Sequence, residues 1–346
     1  MVELMTSTDA RDVEPAVLGR YLERHVSGFR GPLTMEKFGG GQSNPTFLVR
    51  AQSGDYVLRR QPAGELLKSA HAVDREFRVI AALAGTDVPV PRAYHLCADR
   101  EVLGSMFYVM SFEQGRIFWD PALPDVSASQ RAECYEAMLR TMAALHDVNV
   151  DAAGLSDYGR GGNYFERQIA LWTRQYRASE TERIPAMDRL IAWLPANCPA
   201  SDAPPSVVHG DFRIDNVIFH PEQCNIMALL DWELSTLGDP LADLAYFCMC
   251  LRLPADGYIT GLAGRSRREL AVPEEQAIVR RYCELRGIEP IADWHFYLAF
   301  SFFRLAAIVQ GVKKRALNGN ASSAKAQQVG DMAAPLAAMA TALIDC

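Results

Sequence analysis

Hydrophobic and polar positions follow two different patterns along the chain. The pattern in the N-terminal part is typical of a small sheet, and the one after it is typical of helices. Short apolar runs at Phe47–Val49 and Tyr56–Leu58 predict strands within 34–60, and Ser53–Asp55 predicts the turn between them. One helix is predicted over 69–84, because apolar residues recur there every three to four positions. A leading helix is expected over residues 1–30.

After a further strand at Met106–Met110 the pattern becomes mainly helical. One short β segment, 207–232, interrupts it. This order predicts an α+β fold of two lobes, a small β-rich N-lobe at 1–112 and a larger, mostly helical C-lobe at 113–346. Helices are predicted at roughly 127–147, 162–178, 182–194, 240–252, 272–286 and 292–316.

Composition narrows the classes of function. The chain is 49% hydrophobic and 22% charged, which is typical of a globular protein, and its net charge of −7 argues against general nucleic-acid binding. The N-terminal residues lack the apolar run of a signal peptide, and the most apolar stretch, Leu241–Leu251, is too short to span a bilayer. We expect a cytoplasmic protein with reduced cysteines and with neither a nucleic-acid nor a membrane partner. The sequence does not decide the oligomeric state.

The densest chemical signal is His209-Gly-Asp211, followed by Asn216 and later by Asp231. An aspartate can accept the proton of an attacking hydroxyl, and amide and carboxylate oxygens are ligands that Mg²⁺ prefers. The apolar segments between Asn216 and Asp231 predict a hairpin that brings these two residues together. The spacing therefore indicates phosphoryl transfer, whereas His-Gly-Asp alone would also suit an ordinary turn.

This pattern resembles the aminoglycoside phosphotransferase and choline kinase superfamily, which has a bilobal protein-kinase-like fold. The segments VVHGDFRIDNVIFHPEQ and LLDWELSTLGDPLADLAYF are similar to the kinase-like domains fused to acyl-CoA dehydrogenases in some animals. The resemblance implies ATP and Mg²⁺ as cofactors, Asp211 as catalytic base, and Asn216 and Asp231 as metal ligands. It also implies that His209 supports the catalytic loop and that Asp243 ties this loop to the next helix.

A glycine-rich segment precedes the predicted strands and is a candidate phosphate-binding loop. Glycines let backbone amides approach phosphate oxygens closely, although a flexible turn would have the same composition. Its place before two strands matches the loop that covers the ATP phosphates in kinases. The candidate residues are Gly39, Gly40, Gly41, Ser43 and Asn44.

Val57-Leu-Arg59 has the rhythm of the kinase strand that carries the phosphate-binding lysine, with arginine in its place. Glu76 lies on the following predicted helix, so a functional ion pair with Arg59 is expected; an exposed ion pair is the alternative. The adenine is expected near Met110 and Phe112. Plain core packing would account equally well for these two apolar residues.

Together these residues predict an ATP-dependent phosphotransferase acting on the hydroxyl of a small molecule. Two alternatives stay open: an aminoglycoside or choline-like amino-alcohol kinase, and a catalytically silent nucleotide-binding regulatory module. Clusters of basic residues favour an acid or a CoA-linked hydroxy compound as the acceptor, because guanidinium groups suit carboxylates and phosphates; solvated helix faces are the alternative. The clusters are Arg265, Arg267 and Arg268; Arg280 and Arg281; and Lys313, Lys314 and Arg315.

Overall fold

The computed structural model describes residues 4–5, 14–39, 44–62, 71–200, 204–318 and 326–345. Contacts divide the chain into two compact units: residues 1–117 with 216–234, and residues 118–215 with 235–346. The first carries most of the β structure and the second most of the helices, which confirms the predicted α+β, protein-kinase-like fold. The predicted lobes differ from these units mainly in the segment 216–234, which packs with the first unit.

The strands of the described chain form three antiparallel sheets. The largest belongs to the first unit and has the order β1-β2-β3-β4-β6-β5, and the other two pair β7 with β10 and β8 with β9. The strands are β1 Leu4–Met5, β2 Leu33–Phe38, β3 Thr46–Ala51, β4 Gly54–Arg60, β5 Ala93–Cys97, β6 Phe107–Ser111, β7 Ser206–Val208, β8 Val217–Phe219, β9 Ile226–Leu229 and β10 Thr236–Gly238.

The helices lie mostly in the second unit, and α4 and α5 begin at side-chain caps from Ser127 and Asn163. They are α1 Pro15–His25, α2 Val73–Leu83, α3 Arg100–Leu103, α4 Ala128–His146, α5 Tyr164–Ser179, α6 Pro185–Ala196, α7 Leu241–Leu251, α8 Arg267–Leu270, α9 Glu275–Arg286, α10 Trp294–Leu317, α11 Ala326–Gly330 and α12 Ala333–Ile344.

Three predictions of secondary structure were wrong. The segment 34–60 contains parts of three strands and not two, because β2 pairs with β3 although its sequence LTMEKF lacks a clear apolar alternation. Of the leading helix predicted over 1–30, the described residues contain α1, which starts at Pro15, a residue suited to the first helical turn, whereas Leu4–Met5 form the strand β1. The strand β5 and the alanine-rich α12 went unrecognised.

The core of the first unit joins α1 to one face of the large sheet. Leu18 and Leu22 of α1 are buried against Phe47, Leu58 and Phe107 of three different strands. Burying five such side chains contributes on the order of 1.5–3 kcal/mol each before the entropy of ordering is subtracted. The opposite face of β4 is left to carry Arg59.

In the second unit, α7 and α10 are the most buried helices. The α10 helix meets the length and composition of a membrane-crossing helix, yet 78% of its apolar window is buried inside the protein. The expectation that no segment is long enough was therefore wrong, and the burial is typical of a core helix. Cys248 and Cys250 on α7 are buried free thiols.

Candidate functional site

Arg59, the penultimate residue of β4, is the centre of a buried ionic network in the first unit. Its Nε lies 2.7 Å from Oε2 of Glu76 on α2, and its Nη2 donates to Oδ1 of Asp231 at 3.0 Å. A second acid, Glu233, lies 3.7 Å from the same Nη2. The side chains of Arg59 and Glu76 are only 13% and 2% exposed, so the alternative of a surface pair is excluded. The predicted pairing of Arg59 with Glu76 is confirmed.

The Glu76 carboxylate is held from three sides. Besides Arg59, Tyr108 donates its hydroxyl to Oε2 at 3.1 Å and Asn44 donates its amide to Oε1 at 2.8 Å. Burial raises the pKa of Glu76, and the charge of Arg59 opposes that shift. Burial by itself would lower the pKa of Arg59, but the charges of Glu76 and its neighbours outweigh burial and raise the pKa above its ordinary value. The network thus keeps a fixed positive charge beside Asp231.

Asn44 is held by two neighbouring side chains. Its side chain is buried, with the amide nitrogen on Glu76 and Oδ1 accepting from Nδ1 of His71 at 3.0 Å. Both ends of the amide are engaged, so Asn44 positions Glu76 here; phosphate contact by Asn44 stays a prediction. Gly39 is exposed at the end of β2. The candidate residues Gly40, Gly41 and Ser43 lie outside the described residues.

The predicted adenine-binding residues follow β6. Met110 is buried and pairs in register with Val57 of β4. The amide of Ser111 donates to the carbonyl of Arg92 at 2.9 Å, so β6 and the residues before β5 are joined here. Phe112 follows directly and is partly buried. Adenine binding by Met110 and Phe112 stays a prediction.

The hairpin of β8 and β9 places the two candidate metal ligands side by side. Leu230 donates its amide to the carbonyl of Asn216 at 2.8 Å, so Asp231 follows directly after the residue paired with Asn216. This confirms the predicted hairpin. Backbone bonds from Phe219 to Arg116 and from Leu229 to Pro89, all 2.8 Å long, hold it to the first unit.

The donor set of this hairpin fits Mg²⁺. Asn216 supplies a carboxamide oxygen and Asp231 a carboxylate, and Mg²⁺ prefers a few such hard oxygen ligands together with phosphate oxygens. Asp231 adopts a left-handed backbone conformation, with φ of 64°, which is uncommon for a residue with a side chain. Strain of this kind is concentrated at functional sites. Among the described residues, no three His, Cys, Asp or Glu side chains cluster as a metal site.

The loop of the second unit that carries Asp211 is held by Asp243 of α7. The amides of His209 and Gly210 donate to the two oxygens of the Asp243 carboxylate, each at 2.7 Å. Gly210 has φ of 84°, a conformation that glycine adopts at little cost, which explains the glycine of the motif. Nδ1 of buried His209 accepts from the amide of Asp211 at 3.2 Å. The expected supporting contacts of His209 and Asp243 are thus present.

Behind this loop, His146 completes a buried polar chain. Its Nε2 lies 3.2 Å from Oδ2 of Asp243, and its Nδ1 lies 2.6 Å from the hydroxyl of Tyr282. Burial lowers the pKa of His146, so the neutral ring donates to Asp243 and accepts from Tyr282. Burial would raise the pKa of Asp243, but its hydrogen bonds and neighbouring charges bring it below the usual range. Asp243 is therefore an ionised acceptor inside the protein.

Arg213 is a site residue that the sequence analysis missed. Its Nε lies 3.1 Å from Oδ1 of Asp211, and its Nη2 lies 3.3 Å from Oδ2 of Asp215. Burial opposes its charge, but Asp211 and its other anionic neighbours raise the pKa of Arg213 above the ordinary value. The available signal was a cation two residues after Asp211 in the motif loop, within possible reach of the carboxylate.

In each basic cluster, one member is paired with acids of the same chain. Arg265 binds both oxygens of Asp120, and Arg281 binds Glu136 and Glu284. Lys313 lies between Glu182 and Asp331, 2.8 and 3.0 Å away. These pairs support the interpretation of the clusters as structural helix faces, and they weaken the case for acceptor binding there.

The strand order, the buried arginine–glutamate pair and the loop with Asp211 define a phosphotransferase of the protein-kinase-like fold, a small-molecule kinase. The chain belongs to the APH phosphotransferase enzyme family, whose model matches residues 34–300. It is 47% identical over 325 residues to acyl-CoA dehydrogenase family member 10 of Mus musculus, covering 92% of this chain and 30% of that protein. The chain therefore spans less than a third of that relative's length.

Two solved structures give the same fold. A candidate aminoglycoside phosphotransferase from Ralstonia eutropha JMP134 is 47% identical with a TM-score of 0.88, covering 96% of this chain and 98% of that one. Choline kinase from Cryptosporidium parvum Iowa II is 13% identical with a TM-score of 0.65, covering 96% and 97%. At that identity the second likeness concerns the fold alone. The predicted relationship to this superfamily is confirmed.

Proposed function

We propose that this chain transfers the γ-phosphoryl group of ATP to the hydroxyl of a small molecule that is an acid or a CoA-linked hydroxy compound. The observation that carries the proposal is the network of Arg59, which joins Glu76 of α2 to the candidate metal ligand Asp231. A silent nucleotide-binding module would not need a buried cation placed on a metal ligand.

In the proposed reaction, Asp211 accepts the proton of the acceptor hydroxyl while the new O–P bond forms and the bond from the γ-phosphorus to ADP breaks. Arg213, 3.1 Å from Asp211, holds that carboxylate in one orientation. Asn216 and Asp231 would hold Mg²⁺, which neutralises phosphate charge when bound. Arg59 supplies a further positive charge for the phosphates, and Glu76 fixes its direction.

The choice of acceptor is supported by the relatives. The chain shares 47% identity with a protein named as an acyl-CoA dehydrogenase, and a hydroxyacyl compound would suit the substrate chemistry of such an enzyme. A second candidate, an aminoglycoside or amino-alcohol acceptor, is favoured by the name of the Ralstonia eutropha structure at equal identity. Fold alone does not decide between them, because the same scaffold serves many acceptors.

The test is an ADP-release assay with Mg·ATP and equal concentrations of 4-hydroxypentanoate, 4-hydroxypentanoyl-CoA, choline and kanamycin. Asp211→Asn serves as the blank, since loss of a general base typically costs about 10²–10⁴-fold in rate. We expect acceptor-dependent ADP release with a hydroxy acid or its CoA thioester, and retained Mg·ATP binding by the variant. Efficient turnover of kanamycin or choline alone would favour the second candidate, and an Asp211→Asn rate within about threefold of wild type would reject the base.

A further inference from the structure

Arg304, in the middle of α10, is a buried cation without an anionic partner. Its side chain is 5% exposed, and its Nε is buried without a hydrogen-bond acceptor. Within the described parts of the chain, neither a carboxylate nor a carbonyl oxygen accepts from its guanidinium. Burying an unpaired charge is costly, so proteins nearly always supply such a group with a counterion.

Two aromatic rings position this guanidinium. Its Cζ lies 5.6 Å from the ring centre of Trp172 on α5 and 5.5 Å from that of Tyr246 on α7. Such contacts stabilise a cation by roughly 0.5–2 kcal/mol, which is less than the cost of removing it from water. The rings therefore orient Arg304 but do not replace an anion.

Two partly buried arginines of the candidate site are neutralised by carboxylates. Arg59 is placed against Glu76 and Asp231, and Arg213 against Asp211 and Asp215. Each has carboxylates at salt-bridge distance. Arg60 is as buried as Arg304 and also has no carboxylate at salt-bridge distance, but its Nη1 donates to the carbonyl of Leu103 at 3.4 Å. Arg304 has no such acceptor among the described residues, which points to an anion supplied from outside the chain.

Tyr246, one of the two rings beside Arg304, also lies near the loop that carries Asp211. Tyr246 lies three residues after Asp243, about one turn along α7, and Asp243 binds the amides of the two residues before Asp211. The charges of Asp211, Arg213 and Arg304 all act on the Tyr246 hydroxyl, whose pKa burial raises well above its ordinary value. Arg304 and the candidate base therefore share one neighbour.

We propose that Arg304, held between Trp172 and Tyr246, binds an oxyanion of the acceptor and so selects anionic acceptors. This rests on the proposed function. A guanidinium offers planar, paired donors that match a carboxylate or a phosphate, and the two rings provide apolar surface for the adjoining carbon chain. The anion is the carboxylate of a hydroxy acid or a phosphate of its CoA thioester, and a positively charged acceptor is disfavoured.

The experiment compares wild type with Arg304→Gln in steady-state assays using 4-hydroxypentanoate and its neutral analogue 4-hydroxypentanamide. Loss of charge-assisted hydrogen bonds should raise the KM for the acid by about 10- to 100-fold. The KM values for ATP and for the amide should stay within about twofold, because neither uses the guanidinium. Assays with 4-hydroxypentanoyl-CoA and the corresponding pantetheine thioester locate the anion: a KM rise confined to the CoA thioester identifies a phosphate as the group bound.

Two further variants keep the test decisive. Arg304→Lys retains the charge without the paired donors and should give an intermediate KM, which also covers the case in which Arg304→Gln fails to fold. Arg177→Gln is the matched control, since Arg177 also stacks on a tyrosine but is paired with Glu180 and Asp188. It should behave as wild type.

Equal loss with the acid and the amide would mean a purely structural role and would overturn the proposal. An unchanged KM for every anionic acceptor in Arg304→Gln would overturn it as well, while leaving the proposed function intact. Wild-type turnover of choline or kanamycin and of no hydroxy acid would instead reject the acceptor class, and this inference with it.

Discussion

Removing Arg59 should destabilise the protein more than removing Glu76, although the two form one ion pair. Arg59→Met leaves the Glu76 carboxylate buried with only Asn44 and Tyr108 as donors, a loss of about 3–5 kcal/mol for a broken buried pair. Glu76→Gln leaves Arg59 beside Asp231 at 3.0 Å and Glu233 at 3.7 Å, so its charge stays compensated. We expect a smaller loss there, about 1–3 kcal/mol.

The measurement is the free energy of unfolding from urea titrations of wild type, both single variants and the double variant, without nucleotide. Since the double variant loses the shared interaction only once, its loss should be smaller than the sum by about 0.5–3 kcal/mol. Both single variants should also raise the KM for ATP. The control is Arg50 with Asp55, a 3.2 Å pair on the same sheet whose side chains are 48% and 37% exposed.

In that exposed pair each substitution should cost no more than about 1 kcal/mol. Strict additivity at Arg59 and Glu76 would mean that the two side chains do not interact energetically. A larger loss in Glu76→Gln than in Arg59→Met would refute the argument that Asp231 and Glu233 compensate the arginine.

Three further outcomes are expected. Asp231→Ala should abolish the Mg²⁺-dependent part of the thermal shift given by ATP, whereas Asp231→Asn should better preserve the fold, because asparagine tolerates φ near 64°. Asp243→Asn should lower stability by about 1.5–3 kcal/mol in urea titrations and reduce turnover, since charge-assisted bonds to two loop amides are lost. Burial lowers the pKa of His146, so its unfolded form takes up a proton first. Stability should therefore fall as the pH drops below about 6.5, and Tm against pH should be flatter in His146→Gln.

Local spacing was enough to predict the hairpin and the ion pair. The turn and the apolar runs between Asn216 and Asp231 leave few other ways to fold that segment. Because side chains alternate along a strand, Arg59 lies on the face of β4 opposite to Leu58. These features depend on neighbours in sequence. That is why the predicted positions of Asp231 and Glu76 agree with the structure.

Residues whose surroundings come from distant segments were harder to predict. Asn44 lies in a glycine-rich stretch that suggested phosphate binding, but its partners are Glu76 on α2 and His71, two residues before that helix. Arg304 lies within the long, mostly apolar helix α10. Its isolation from acids depends on how α5 and α7 pack on α10, which no local pattern contains.

The buried and partly buried arginines of this protein therefore differ mainly in which anion neutralises each guanidinium. Arg59 contacts the candidate metal ligand Asp231, so Mg²⁺ bound there would have to compete with the 3.0 Å bond from Arg59 to that carboxylate. Glu76 and Glu233 would remain beside Arg59 if Asp231 turned to a metal ion, which would keep the cost of that exchange small. Arg304 has no carboxylate beside it among the described residues. An anionic acceptor would therefore bind a guanidinium that is already oriented and desolvated, which favours its affinity.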